Sequence, residues 1–100
     1  MIRHIVSWKL KPGESAAREK AAAEIAEALE GLIPVIPEII ALSVSRDVSG
    51  QEKNHDVVLI ADFASFDDLE AYLVHPAHIR AAGVIGPRVS ARACVDVAVD

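Results

Sequence analysis

Asp56-Val57-Val58-Leu59-Ile60-Ala61-Asp62-Phe63 is the run that decides the fold. Its middle, Val57 to Ala61, is apolar at odd and even positions alike, as in a strand whose sheet is covered on both faces. Asp56 to Phe63 is therefore expected as a central strand. Downstream, Ser65-Phe66-Asp67-Asp68 has the Ser-x-x-Asp form of a helix start, with the serine capping an orphan amide and the acids at the positive end of the dipole. Phe66, Leu69 and Leu73 follow at i, i+3 and i+7 as a buried stripe, with Tyr72 beside them.

The same pattern reading extends to both termini. The polar segment Ser49 to Asn54 reads as a hairpin loop returning from a strand over Ile39 to Val48. Pro34 and Pro37 stop the preceding helix, because proline has no amide hydrogen and clashes with the turn before it. That helix is predicted from Ser15 to Leu32, with Ala21, Ile25, Ala28, Leu29 and Leu32 on its buried face. Before the Pro12-Gly13 turn, Ile2, His4, Val6, Trp8 and Leu10 alternate with Arg3, Ile5, Ser7 and Lys9 as a first strand. After Tyr72, the His75-Pro76 pair breaks the helix. A short helical turn to about Ala82, a loop at Gly83 and Gly86-Pro87, and a last strand from Val89 to Val99 complete the chain.

The order strand, helix, strand, strand, helix, strand predicts one α+β domain over residues 1–100. It has the ferredoxin-like βαββαβ arrangement: a four-stranded antiparallel sheet with two helices on one face. The other sheet face has no helix, yet Ile5, Ile39, Ala41, Val58 and Ile60 place apolar side chains there. A second copy packed face to face satisfies it, so a homodimer burying more than ~1,000 Å² through the open sheet face is expected.

Composition narrows the partners. A net charge of -5 with scattered bases excludes the basic face that nucleic acid requires. No apolar run approaches the ~20 residues of a membrane span, and no cleavable signal opens the chain. The single cysteine, Cys94, cannot form an internal disulfide. The expected location is the cytoplasm. With four aromatic residues in the chain, a pocket would be lined by aliphatic side chains and would suit a small apolar ligand.

Chemistry is concentrated in Tyr72-Leu73-Val74-His75-Pro76-Ala77-His78, which holds the only tyrosine and two of the four histidines. A histidine titrating near ~6.5 can take a proton from a carbon acidified by carbonyls. His78 is thus either a base or a hydrogen-bonding tie between the helix break and the sheet. His4, beside Val6 and Trp8 on one strand face, reads first as a core histidine satisfied by a hydrogen bond. Trp8 either packs or lines a ligand cavity. No metal site and no cofactor is predicted: proline disrupts regular presentation of His75 and His78, and Cys94, expected as a small buried residue, has no companion at metal-ligand spacing.

His4-Ile5-Val6-x-Trp8-Lys9-Leu10, Ile33-Pro34, Phe63-x-Ser65-x-x-x-Leu69-x-x-Tyr72 and His75-Pro76-x-His78 together resemble the stress-responsive dimeric α/β barrel (Dabb) family over essentially the whole chain. The resemblance implies a dimer whose two sheets form a barrel with helices outside. Plant polyketide cyclases of that family imply aldol closure without a cofactor, with His78 as base, Tyr72 as proton donor or oxyanion partner, and His4 assisting. Trp8 and His75 would contact substrate, a small carbonyl-bearing molecule, and Ala26 stands where the cyclases carry a helix tyrosine. The alternatives are a non-catalytic stress-associated or ligand-binding dimer and a cofactor-independent oxygenase of the same barrel type.

Overall fold

A computed structural model describes residues 1–100 and contains four strands: β1 (Ile2–Leu10), β2 (Ala41–Arg46), β3 (Val57–Phe63) and β4 (Val89–Ala98). They form one sheet in the order β2-β3-β1-β4, with every neighbouring pair antiparallel. Both central strands are those richest in alternating or continuous apolar residues. Three helices, α1 (Ser15–Glu30), α2 (Phe66–Val74) and α3 (Pro76–Ile85), lie on one side. The ferredoxin-like α+β architecture is as expected, with the short helical turn expected after Pro76 running on to Ile85 as a third helix.

The extra helix has a local cause. His75 adopts extended backbone (φ -64°, ψ 134°) before Pro76, which ends α2, and its Nδ1 accepts the Ala77 amide as an N-cap. Pro76 then takes the first helical position, where its missing amide hydrogen costs nothing. Gly83 does not open the expected loop, because Ala77, Ala81 and Ile85 are buried along one face of α3 and hold the helix through it. A single 3₁₀ turn at Gly86–Arg88 leads into β4.

Burial follows the β1 alternation residue by residue. Ile2, His4, Val6, Trp8 and Leu10 are buried beneath the helices, and Val57, Leu59, Ala61 and Phe63 of β3 lie beside them in register. Ala22, Ile25 and Leu29 of α1, Ile36 of the proline-bounded turn, and Leu69 and Tyr72 of α2 close the core from above. Ser65 caps α2 by accepting the Asp68 amide at 3.2 Å, as its sequence form indicates. Phe66 departs from expectation: it precedes the buried stripe by part of a turn and is 63% exposed. Ile39 also departs, packing against the core from the turn before a shorter β2.

The helices cover β1, β2 and β3, and beyond half-buried Val89 the helix-facing residues Arg92, Cys94 and Asp96 of β4 are exposed. Cys94 lies there and is exposed rather than buried. On the opposite, helix-free face, Ile60 is 38% and Val95 58% exposed. A bidentate Arg3–Asp62 pair at 2.8 and 3.1 Å crosses the same face, and the guanidinium holds the Asp62 carboxyl below its usual range.

Ile25 is wholly buried where α1 meets the sheet. Ile25→Ala is expected to cost about 2–5 kcal/mol through lost transfer energy and a residual cavity. In urea denaturation this lowers the midpoint while leaving the slope unchanged.

Candidate functional site

β1, β3, β4, α1 and α3 line an open cavity of about 170 Å³. Val6, Leu29, Leu59, Ile85 and Val89 supply aliphatic walls and Trp8 an aromatic one. The polar groups reaching it are His4, His78 and Arg92. Few polar groups set into an apolar lining are the usual composition of a small-molecule site. A larger depression of about 570 Å³ lies near the β2–β3 loop. Its charges are largely spent within the protein, through Arg18–Asp56 at 2.9 Å and Lys9 Nζ donating to the Glu52 carbonyl at 2.5 Å.

His78 has a defined tautomer. Its Nδ1 lies 3.1 Å from the carbonyl oxygen of Leu73, in the last turn of α2. A carbonyl can only accept, so Nδ1 carries the proton, and in the neutral ring Nε2 keeps its lone pair. One nitrogen ties α3 to the end of α2 and the other remains basic. The two readings of His78 from sequence are thus compatible. Burial is the main force lowering its pKa from the ordinary 6.5, opposed by the Leu73 hydrogen bond and assisted by the charges of His4 and Arg92.

His4 is 3% exposed, and its Nδ1 meets Asp96 Oδ1 at 2.5 Å across the β1–β4 pairing. It is a satisfied buried histidine that also forms part of the cavity wall. Tyr72, expected to donate a proton in the pocket, lies behind that wall and does not line it. Its ring sits 4.5 Å from His78, 6.1 Å from His4 and 4.9 Å from Phe63, centroid to centroid. Burial alone pushes its hydroxyl up to about 12, so it stays protonated, and it has no hydrogen-bond partner within the protein. His75, expected to contact substrate, is outside the cavity and is used as the α3 cap. Trp8 lines the cavity while remaining 5% exposed.

Arg92 and Asp96 were not singled out by sequence reasoning. Their signal was the shared parity of Arg92, Cys94 and Asp96 along β4, which places them on one face. The register opposite Trp8, Val6 and His4 appears only in the folded sheet. Arg92 is in no ion pair. Cys94 Sγ lies 3.6 Å from His4 Nδ1 and 3.8 Å from Asp96 Oδ1, so three potential metal-ligating atoms converge where none was predicted. Burial first, and then Asp96, push the Cys94 thiol up, with Arg92 opposing them, against the activation a nucleophile needs.

The family model for the stress responsive A/B barrel domain matches residues 2–99. A dimeric protein of unknown function and ferredoxin-like fold from Bacteroides fragilis is 27% identical, with 96% of this chain and 93% of that chain covered at a TM-score of 0.88. A dimeric ferredoxin-like protein of unknown function from Thermobifida fusca is 28% identical, covering 98% and 90% at 0.82. Hydroxynitrile lyase from Passiflora edulis is 17% identical, covering 99% and 93% at 0.83, a likeness of fold alone. No curated protein matches the sequence. No helix is long and apolar enough to cross a membrane.

Because the fold disfavours the charged His78 imidazole, the unfolded chain takes up that proton first on acidification. The associated stability is present above pH 6.5 and is lost as pH falls through the lower folded value. Thermal midpoints of wild type and His78→Gln, compared between neutral and mildly acidic pH, should show the steeper decline in wild type. Equal declines would show that His78 is not disfavoured in its charged form.

Proposed function

The chain belongs to the stress responsive A/B barrel domain family, and on that premise we propose that it acts as a homodimer. In each protomer, we propose, the cavity beside His78 takes up a compact carbonyl-bearing molecule for acid/base chemistry without a cofactor. The observation that carries this reading is the His78 Nδ1 hydrogen bond to Leu73, which leaves Nε2 unprotonated in the neutral ring of a residue that lines a largely apolar cavity. A neutral imidazole at neutral pH is the form that can remove a proton. The cavity is small, so the substrate class is compact, with a carbon acidified by one or two carbonyl groups.

Removal of that proton builds negative charge on the carbonyl oxygen. Arg92, in no ion pair at the cavity wall, is the cation available to stabilise it. His4, held by Asp96, offers a second polar contact. Tyr72 is assigned a positioning role, packing against both imidazoles from behind the wall. His75 is assigned no contact with substrate.

Dimerisation is proposed through the helix-free sheet face. Ile5, Val58, Ile60 and Val95 lie on that face, with Ile60 and Val95 still exposed in the single chain, and the two relatives from Bacteroides fragilis and Thermobifida fusca are dimeric. Light scattering is expected to give twice the 10.7 kDa chain mass, and Ile60→Asp is expected to shift it toward one. A monomeric wild type in dilute solution would end the proposal of a dimer.

The acid/base reading is tested with small α-alkyl β-keto esters in deuterium oxide, following exchange at the activated carbon by proton NMR. His78→Gln is expected to lower the catalysed rate by roughly 10² to 10⁴ while retaining the fold. Tyr72→Phe removes a buried hydroxyl without a partner and is expected to raise stability by about 1 kcal/mol. Its exchange rate should change far less than that of His78→Gln. Saturable binding without catalysed exchange would instead support a ligand-binding dimer, and oxygen uptake during turnover would support an oxygenase.

A further inference from the structure

β4 crosses beside β1 so that Asp96 lies directly opposite His4, with Cys94 one pair along the same face. The resulting cluster is built differently from a catalytic relay. In a cysteine–histidine–carboxylate relay the thiol and the acid use opposite ring nitrogens, one on each side of the imidazole. Here both approach the same atom, His4 Nδ1, at 3.6 Å for Cys94 Sγ and 2.5 Å for Asp96 Oδ1. Three donor atoms that converge on one point describe a chelate.

The spacing agrees with that description. On a tetrahedral zinc ion with bonds of about 2.3 Å to sulfur and about 2.05 Å to nitrogen or oxygen, sulfur stands about 3.5 Å from each other ligand atom. The sulfur distances here are 3.6 and 3.8 Å. Nitrogen and oxygen on such an ion stand about 3.3 Å apart, so the 2.5 Å His4–Asp96 hydrogen bond must open. That movement falls to Asp96, whose side chain is 33% exposed, while His4 is fixed in the core at 3%. The bare helix-side surface of β4 leaves a fourth direction open to solvent.

We propose that His4 Nδ1, Cys94 Sγ and Asp96 Oδ1 form a three-point site for one thiophilic divalent cation of the zinc class, with its fourth position taken by solvent. Thiolate plus imidazole plus carboxylate selects zinc-like ions over magnesium or calcium, which favour oxygen donors. Binding replaces the His4–Asp96 hydrogen bond. The thiol proton leaves to solvent, and the imidazole proton moves from Nδ1 to Nε2 so that Nδ1 can ligate. The site stands on its own geometry and does not depend on His78 acting as a base.

Cobalt(II) is the optical probe, titrated into the metal-free full-length chain and then displaced by zinc(II). Expected are one equivalent per chain, a thiolate-to-cobalt charge-transfer band in the near ultraviolet, and visible bands of a four-coordinate ion, all lost on adding zinc. Cys94→Ser, at an exposed position, should keep the wild-type circular dichroism spectrum, abolish the charge-transfer band and weaken zinc at least tenfold. Asp96→Asn should also weaken it at least tenfold. Because Cys94 is the only cysteine, its alkylation by a maleimide reads the site directly and should slow when zinc is present. Absence of the band, equal zinc affinity in Cys94→Ser and wild type, or unprotected alkylation would each overturn the proposal.

Discussion

The site depends on a mismatch between the sheet and its helix layer. The helices are packed over β1, β2 and β3, and the helix-facing side of β4 is exposed from Arg92 to Asp96. β1 therefore does two things at once. Its inward side chains form the floor of the core, and His4, Val6 and Trp8 also line the open cavity at its edge. Val6 and Trp8 are core residues and cavity walls together, and His4 is a buried histidine whose partner, Asp96, comes from the bare strand. A fourth strand fully roofed by helix would have given a better-covered core and no cavity beside His78.

The second determinant is the break between α2 and α3. Pro76 forbids one continuous helix, and the local chemistry turns that prohibition into a fixed junction. His75 caps the new helix with its ring, and His78, one turn further, donates to the Leu73 carbonyl that the break left without an intrahelical partner. The same hydrogen bond that satisfies an orphan carbonyl sets the His78 tautomer. The tie occupies one ring nitrogen, and in the neutral ring the other carries no proton.

Much of the fold was legible because its signals are local and periodic. The alternation in β1, the two-sided apolar run of β3, the Ser65 cap and the prolines at 34, 37 and 76 each act over a few residues, and each predicted the right kind of element. Errors came where a local pattern met a tertiary boundary. Phe66 has the right spacing for a buried stripe but begins its helix too early to reach the core. Gly83 signals a loop, yet the burial of Ala81 and Ile85 on either side keeps it helical. Cys94 has the composition of a core residue, but it sits on an edge strand that no helix covers.

By itself the sequence determined the order and type of the elements, the division of β1 into two faces, and the concentration of histidines at the helix break, since these depend on neighbours within a turn or a few residues. Only the tertiary structure decided which distant groups meet. Strand register set Asp96 and Cys94 against His4, 92 and 90 positions away in the chain. The same register put Arg92 at the cavity, and helix packing kept Tyr72 out of its lining. A strand pattern states which residues share a face, but pairing register and the lateral placement of helices are set by the packing of the whole core, and no short stretch of chain contains that information.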